Sequence, residues 1–167
     1  MDRAAIHDLL RGTHDIARAA ELLAASNDIT YWQQEFQGQH VPGDFNGSGD
    51  KLRNANHLNC FEFVHLCNVL TCCSDHPGNL GTSNLDSHLL DLTAGLNKWD
   101  GSSPIPRGSV VVGTKLPPWG VGAQGVFHVG VAVGDGHVVS NLDRNVTNEP
   151  IADVFGGLGN VDPAADI

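Results

Sequence analysis

Cys60 is the residue whose type and setting first suggest chemistry. It follows Asn59, a good helix N-cap, and Glu62 lies three residues after that cap, so a capping box predicts a helix that begins at Cys60. A thiol in the first turn of a helix lies beside unpaired N–H groups and the positive end of the helix dipole, which favour the thiolate. Cys60 is therefore a candidate nucleophile, although a free cysteine is more often a small buried apolar residue.

A cysteine nucleophile needs a base within hydrogen-bonding reach, and His128 is the candidate. It opens the segment HVGVAVGDGHV, whose small and β-branched residues predict a strand. Residues 126–133 and 137–141 flank Asp135-Gly136, a dipeptide typical of tight hairpins. A strand histidine is more often structural when considered by itself, so the hypothesis depends on the pair.

The elements around this pair indicate one α+β domain over residues 1–167. Apolar residues spaced three to four apart predict an amphipathic helix within residues 1–28, with a break near Gly12. The stretch after Cys60 is apolar on most sides, which predicts a buried helix. A short helix is expected over 86–97, a strand over 109–114, and a flexible tail over 155–167.

Composition excludes several classes of function. The net charge of −10 with only nine Lys and Arg argues against nucleic-acid binding. No run of about 20 apolar residues predicts a membrane span, and the charged N-terminus lacks the apolar core of a signal peptide. The expectation is a monomer made in the cytoplasm without Sec export, with reduced cysteines and no cofactor.

Three blocks of the sequence resemble the NlpC/P60 family of papain-like hydrolases. Cys60-Phe61-Glu62-Phe63-Val64 is similar to the Cys-x-x-Phe-Val motif that opens the family's catalytic helix. The segment PRGSVV at 106–111 resembles the strand led by Pro-x-Gly-Asp, and HVGVAVGDG at 128–136 resembles the catalytic-histidine hairpin. The blocks follow the family's order across roughly residues 30–145. Asn59 stands where the family has Asp before the cysteine, and Phe61-Glu62 where it has Ser-Gly after it. The bulkier pair Phe61-Glu62 would narrow the cleft.

A third residue is needed to orient the imidazole of His128. The position that matches the family's polar residue is Ser140, a poor orienter. Alternation back from a two-residue turn, with Gly130 opposite Asn141, predicts that Asn141 shares the face of His128. Asn141 also has the amide chemistry that papain-like enzymes use. We favour Asn141 over Ser140, with His137 and Asp143 as further alternatives.

The resemblance implies acyl transfer on an amide, with peptidoglycan peptides as the expected substrate. The Cys60 backbone N–H would be one oxyanion donor, and upstream Tyr31, Gln33, Gln34 or Gln37 a second. Tyr31, Gln34 and Trp119 are the candidate substrate-binding residues in a cleft formed by the loops 37–57, 74–86 and 115–125. A cell-wall hydrolase made without Sec export would have to leave the cell by another route. An antibacterial effector that is delivered by a specialised secretion system and neutralised by an immunity protein would meet this requirement.

Other functions compete with this interpretation. The same dyad would serve a deamidase or an acyltransferase acting on a protein or lipid, and a papain-like scaffold can bind without turnover. A structural zinc site is a weaker alternative, because its soft ligands match no closed ligand spacing: His65, Cys67, Cys72, Cys73 and His76. The favoured interpretation assigns no metal.

Overall fold

The computed structural model describes residues 1–31, 56–71, 97–115, 125–142, 145–156 and 161–165. Within them lie three α-helices: α1 (Arg3–Leu10), α2 (Ile16–Ser26) and α3 (Cys60–Thr71). The strands are β1 (Thr30–Tyr31), β2 (His57–Leu58), β3 (Asn97–Lys98), β4 (Val110–Lys115), β5 (Gly125–Gly134), β6 (His137–Leu142), β7 (Asn145–Pro150) and β8 (Val161–Ala165). A π-helical turn spans Ala152–Gly156. The α+β class predicted from the sequence is confirmed.

The N-terminal segment forms two helices, as the predicted break at Gly12 requires. Gly12 has a φ of 81°, which suits glycine, and its N–H donates to the Thr71 carbonyl at the end of α3. Asp2 and Asp15 cap α1 and α2 by accepting from backbone N–H groups of the first turns. The turn between these helices is thereby attached to the far end of α3.

The strands form one sheet in the order β2-β1-β7-β6-β5-β4-β8-β3. Every described pair is antiparallel except β1 with β2, which is parallel. The predicted hairpin is confirmed, because β5 and β6 are joined by Asp135 and Gly136 with φ of 53° and 73°. These left-handed conformations match the twist that a tight hairpin needs.

The sheet carries a separate core on each face. On one face, α1, α2 and α3 pack through Ile6, Leu23 and Phe63 against Val131 and Val139 of the hairpin. On the other face, Phe155 and its neighbours in the π-helical turn pack against a second set of strand residues: Val111, Ala132 and Val138. We call the face that packs against the three helices the helix face, and the face that packs against the π-helical turn the turn face.

Two further sequence predictions concern the tail over 155–167 and the helix over 86–97. The prediction of a flexible tail over 155–167 is wrong for the residues described there, because Phe155 is buried and β8 pairs with both β4 and β3. Most of the helix expected over 86–97 lies outside the described residues, and Asn97 begins β3. None of the helices in the described ranges combines the length and hydropathy that a membrane crossing requires.

Candidate functional site

The start of α3 has the geometry that the capping-box pattern predicts. Asn59 Oδ1 accepts from the Glu62 N–H at 2.9 Å, and Glu62 Oε2 accepts from the Asn59 N–H at 3.0 Å. These reciprocal bonds satisfy two groups that a helix end would otherwise leave open. Cys60 is the first residue of α3, so its Sγ is held at the positive end of a well-capped helix.

Cys60 packs against the helix face of the sheet. Its neighbours there are Val112 of β4 and Val129 of β5, and the residue is only 5% exposed. Cys67, two turns further along α3, is fully buried, and burial raises the pKa of its thiol. Cys67 is thus an inert thiol on the same helix and a natural control for Cys60.

His128 projects from the turn face, on the other side of the sheet. It is adjacent in β5 to Val129, and successive strand residues point to opposite faces. Its ring lies 5.6 Å from the ring of Phe155, at a tilt of 38° between the planes, and the residue is 1% exposed. The strand that carries the candidate base therefore passes beside Cys60, while the imidazole itself packs against the π-helical turn.

The predicted register of the hairpin is wrong beyond its first pair. Gly134 faces His137 as expected, but Gly130 faces Ser140 rather than Asn141. Val133 is an extra residue in β5, and this bulge moves every later pair by one position. A one-residue shift exchanges the faces of Ser140 and Asn141.

Ser140 consequently shares the face of His128, and Asn141 does not. A Cβ placed on Gly130 would lie 2.9 Å from Ser140 Cβ, so these two residues project together from the turn face. Ser140 is fully buried, and within the described part of the chain its Oγ has no hydrogen-bond partner. Asn141 lies on the helix face, where its Nδ2 donates to the Leu58 carbonyl at 2.5 Å. The inference that Asn141 faces His128 is therefore corrected.

The remaining predicted residues are only partly located. Tyr31 ends β1, which pairs with β2 immediately before α3. Gln33, Gln34, Gln37, Trp119 and Asp143 lie outside the described residues, as do Cys72, Cys73 and His76 of the metal alternative. Among the side chains that are described, no group of three or more metal-binding types is arranged to hold an ion.

Two neighbours of the candidate residues were not predicted from the sequence. The Leu58 carbonyl, as the partner of Asn141, carries no side-chain signal. Phe155 does carry one, because Ile151, Val154 and Phe155 have the three-to-four spacing of an apolar helical face. That spacing predicts a packed turn instead of a tail.

The arrangement therefore offers a thiol at a helix N-terminus, a buried amide beside the entry to that helix, and a buried imidazole across the sheet. No protein-family model, no curated protein and no solved structure matches this chain.

Proposed function

We propose that this chain is a cysteine-dependent amide hydrolase of papain-like architecture, with peptidoglycan peptides as substrate. The observation that carries the proposal is the position of Cys60 as the first residue of a capped helix that lies against the strand bearing His128. The order of capped helix, strand and histidine hairpin is also the order of the three blocks that resemble NlpC/P60 proteins.

The chemistry is a two-step acyl transfer. The Cys60 thiolate attacks the amide carbonyl, and the oxyanion accepts from the Cys60 backbone N–H at the start of α3. His128, protonated by the thiol, donates that proton to the departing amine as the C–N bond breaks. His128 then takes a proton from water, whose oxygen attacks the thioester, and the acid product leaves with the thiol restored.

The proton transfers require the His128 side chain to reach the helix face. A second bulge in β5 supports such a change: Phe127 is an extra residue between the pairs Gly113–His128 and Thr114–Val126. Moving the bulge by one residue would make His128 the unpaired position and release its side chain from the turn face. In this proposal the described conformation is the resting one, and substrate binding favours the shifted pairing.

The substrate class follows from the resemblance. Peptidoglycan lies outside the cytoplasm, so the proposal includes transfer by a specialised secretion system into a target periplasm. An immunity protein would then protect the producing cell. Activity on a protein or lipid amide, as a deamidase or acyltransferase, is the alternative if peptidoglycan is not cleaved.

A second candidate function is favoured by the placement of His128 against Phe155. If β5 keeps its bulge at Phe127, the imidazole stays packed on the turn face against Phe155, and His128 does not act as the base of Cys60. The chain would then be a papain-like scaffold that binds its partner without turnover. This candidate predicts that the loss of His128 changes stability but no chemical activity.

The test is digestion of purified peptidoglycan, with the released fragments identified by mass spectrometry. The wild-type protein and Cys67→Ala should release the same peptides, whereas Cys60→Ala and His128→Ala should release none. His137→Ala is the histidine control. The structure places His137 at the hairpin turn, where it pairs with Gly134 and its Nδ1 lies 3.0 Å from the Asp135 carbonyl, so it is six strand residues away from His128 and does not orient that imidazole.

The outcomes separate the two candidates. Release by wild type that His128→Ala retains would refute the proposed dyad. No release by wild type, together with an alkylation rate at Cys60 no faster than at Cys67, would favour the binding scaffold. No release with a fast-reacting Cys60 would move the substrate to a protein or lipid amide.

A further inference from the structure

Asn141 is bound to the segment that leads into α3. Its Nδ2 donates to the carbonyl of Leu58, which ends β2 two residues before Cys60. Asn141 is fully buried, and it lies on the same face as Val139, which packs in the core that contains α3. The amide therefore fixes the chain at the point where the capping box begins.

Only half of the Asn141 side chain is used in this way. Its Oδ1 is buried and, within the described part of the chain, accepts no hydrogen bond. A buried acceptor without a partner costs roughly 1–3 kcal/mol, so such groups usually have a structural or functional reason. The Leu58 contact gives the amide its orientation, which leaves the oxygen as an acceptor on the face that holds Cys60.

We propose that Asn141 is a positioning residue for Cys60 and not for His128. Its amide nitrogen holds the Leu58 carbonyl and so sets the start of α3, while its oxygen is a buried acceptor on the helix face, against which Cys60 packs. This inference rests on the proposed function for its purpose, but its geometry is testable without any substrate. It also reverses the pairing expected from papain-like enzymes, in which the amide acts on the imidazole.

The main experiment compares the pH dependence of Cys60 alkylation in wild type and in Asn141→Asp. The substitution keeps the shape of the side chain but replaces the donor and adds a negative charge that opposes the thiolate. The alkylation curve should move to higher pH by about one unit, which is about a tenfold slower reaction near neutral pH. Asn148→Asp is the control, because Asn148 is exposed on β7 and its substitution should leave the curve unchanged.

A second measurement uses the unaltered protein, in case Asn141→Asp does not fold. The side-chain amide resonance of Asn141, followed by NMR, should titrate with the same midpoint as Cys60 alkylation. The titration should vanish in Cys60→Ala and persist in Cys67→Ala. The amide of Asn148 should show no such step.

The two proposals fail in different ways. A folded Asn141→Asp variant with an unshifted alkylation curve, or an Asn141 amide that does not follow Cys60, overturns the positioning role. A wild-type protein that releases no peptides, and whose Cys60 is alkylated no faster than Cys67, overturns the proposed hydrolase, while the amide titration still reports whether Asn141 and Cys60 are coupled.

Discussion

At the scale of single residues, the first turn of α3 contains two opposing electrostatic effects. The helix N-terminus favours a negative charge at Cys60, whereas Glu62, nearly fully buried in the same turn, places a carboxylate close to it. Glu62 is held there because its Oε2 closes the capping box with Asn59. The residue that stabilises the helix start therefore works against the thiolate.

Replacement of Glu62 by Gln should separate these effects. Glutamine can also close a capping box, so α3 should keep its start while the negative charge is lost. We expect Cys60 to react with iodoacetamide about 3- to 10-fold faster at pH 7, equivalent to half to one unit of the thiol pKa. Peptide mapping after timed alkylation measures the rate, with the exposed Glu149→Gln as the control. An unchanged or slower rate in a folded Glu62→Gln variant would contradict this account.

Residue identity was a good guide to the helix start at Cys60 and a poor guide to the faces from which Ser140 and Asn141 project. The capping box at Asn59 and Glu62 is local, so the sequence predicted both bonds. The face of Asn141 depends on the bulge at Val133, eight residues earlier in the chain. Valine has no special preference for a bulge, but Gly134 directly after it, with a φ of 98°, was a local sign that the sequence prediction did not use.

At the scale of elements, Arg107 explains why that bulge is stable. Its Nη1 donates to the carbonyl of Val133, the extra residue, at 2.5 Å. Its two terminal nitrogens also donate to the carboxylate of Glu21 on α2, at 2.8 and 2.9 Å. Arg107 thus joins α2 to the bulge, and through the register of β6 it influences which β6 side chains project from the helix face.

The Glu21–Arg107 pair should make stability depend on pH. The hydrogen bond from Arg107 lowers the pKa of Glu21 from its ordinary value of 4.5. Because the folded pKa is lowered, the pair stabilises the fold above the ordinary pKa, and this contribution is lost as pH falls through the folded pKa. Both side chains are partly exposed, so the contribution should be no more than about 1 kcal/mol.

Urea unfolding of wild type and Glu21→Gln over a range of pH tests this expectation. The variant should unfold at lower urea at pH 7, and the two curves should converge as pH falls below the folded pKa of Glu21. Asp153→Asn changes an exposed carboxylate without a described partner and should show no comparable difference. A gap between wild type and Glu21→Gln that persists at low pH would show that the substitution acts through packing.

The hairpin and the helices were predictable as elements, but their neighbours were not. Asp135-Gly136 and the broken amphipathic pattern around Gly12 carry strong local signals, and both were confirmed. β7 and β8 have sequences, NVTNEP and VDPAA, in which polar residues and proline conceal any alternation. β7 pairs with β6, the preceding strand, which also pairs with β5 on its other side. β8 pairs with β4, which is distant in the sequence.

At the scale of the whole molecule, one sheet separates the candidate nucleophile from the candidate base. The helix face holds α3 and Cys60, and the turn face holds His128 under the π-helical turn. The same strands carry both cores, one on each face. Loss of packing on one face therefore also destabilises the strands that carry the other core. The stability of the turn face is therefore also a condition for the site on the helix face.

Phe155→Ala tests this dependence. Phe155 is almost fully buried against the turn face, and truncating a buried phenylalanine usually costs about 3–5 kcal/mol. At roughly 2–4 °C for each kcal/mol in a domain of this size, the melting temperature should fall by about 10 °C. Thermal unfolding followed by circular dichroism and by tryptophan fluorescence should show one shared transition, because the two cores share strands.

Asp153→Ala, an exposed change in the same turn, should leave the melting temperature within about 2 °C of wild type. If residues from 155 onward were a loose tail, both variants would melt like wild type, and the burial of His128 under Phe155 would have to be abandoned.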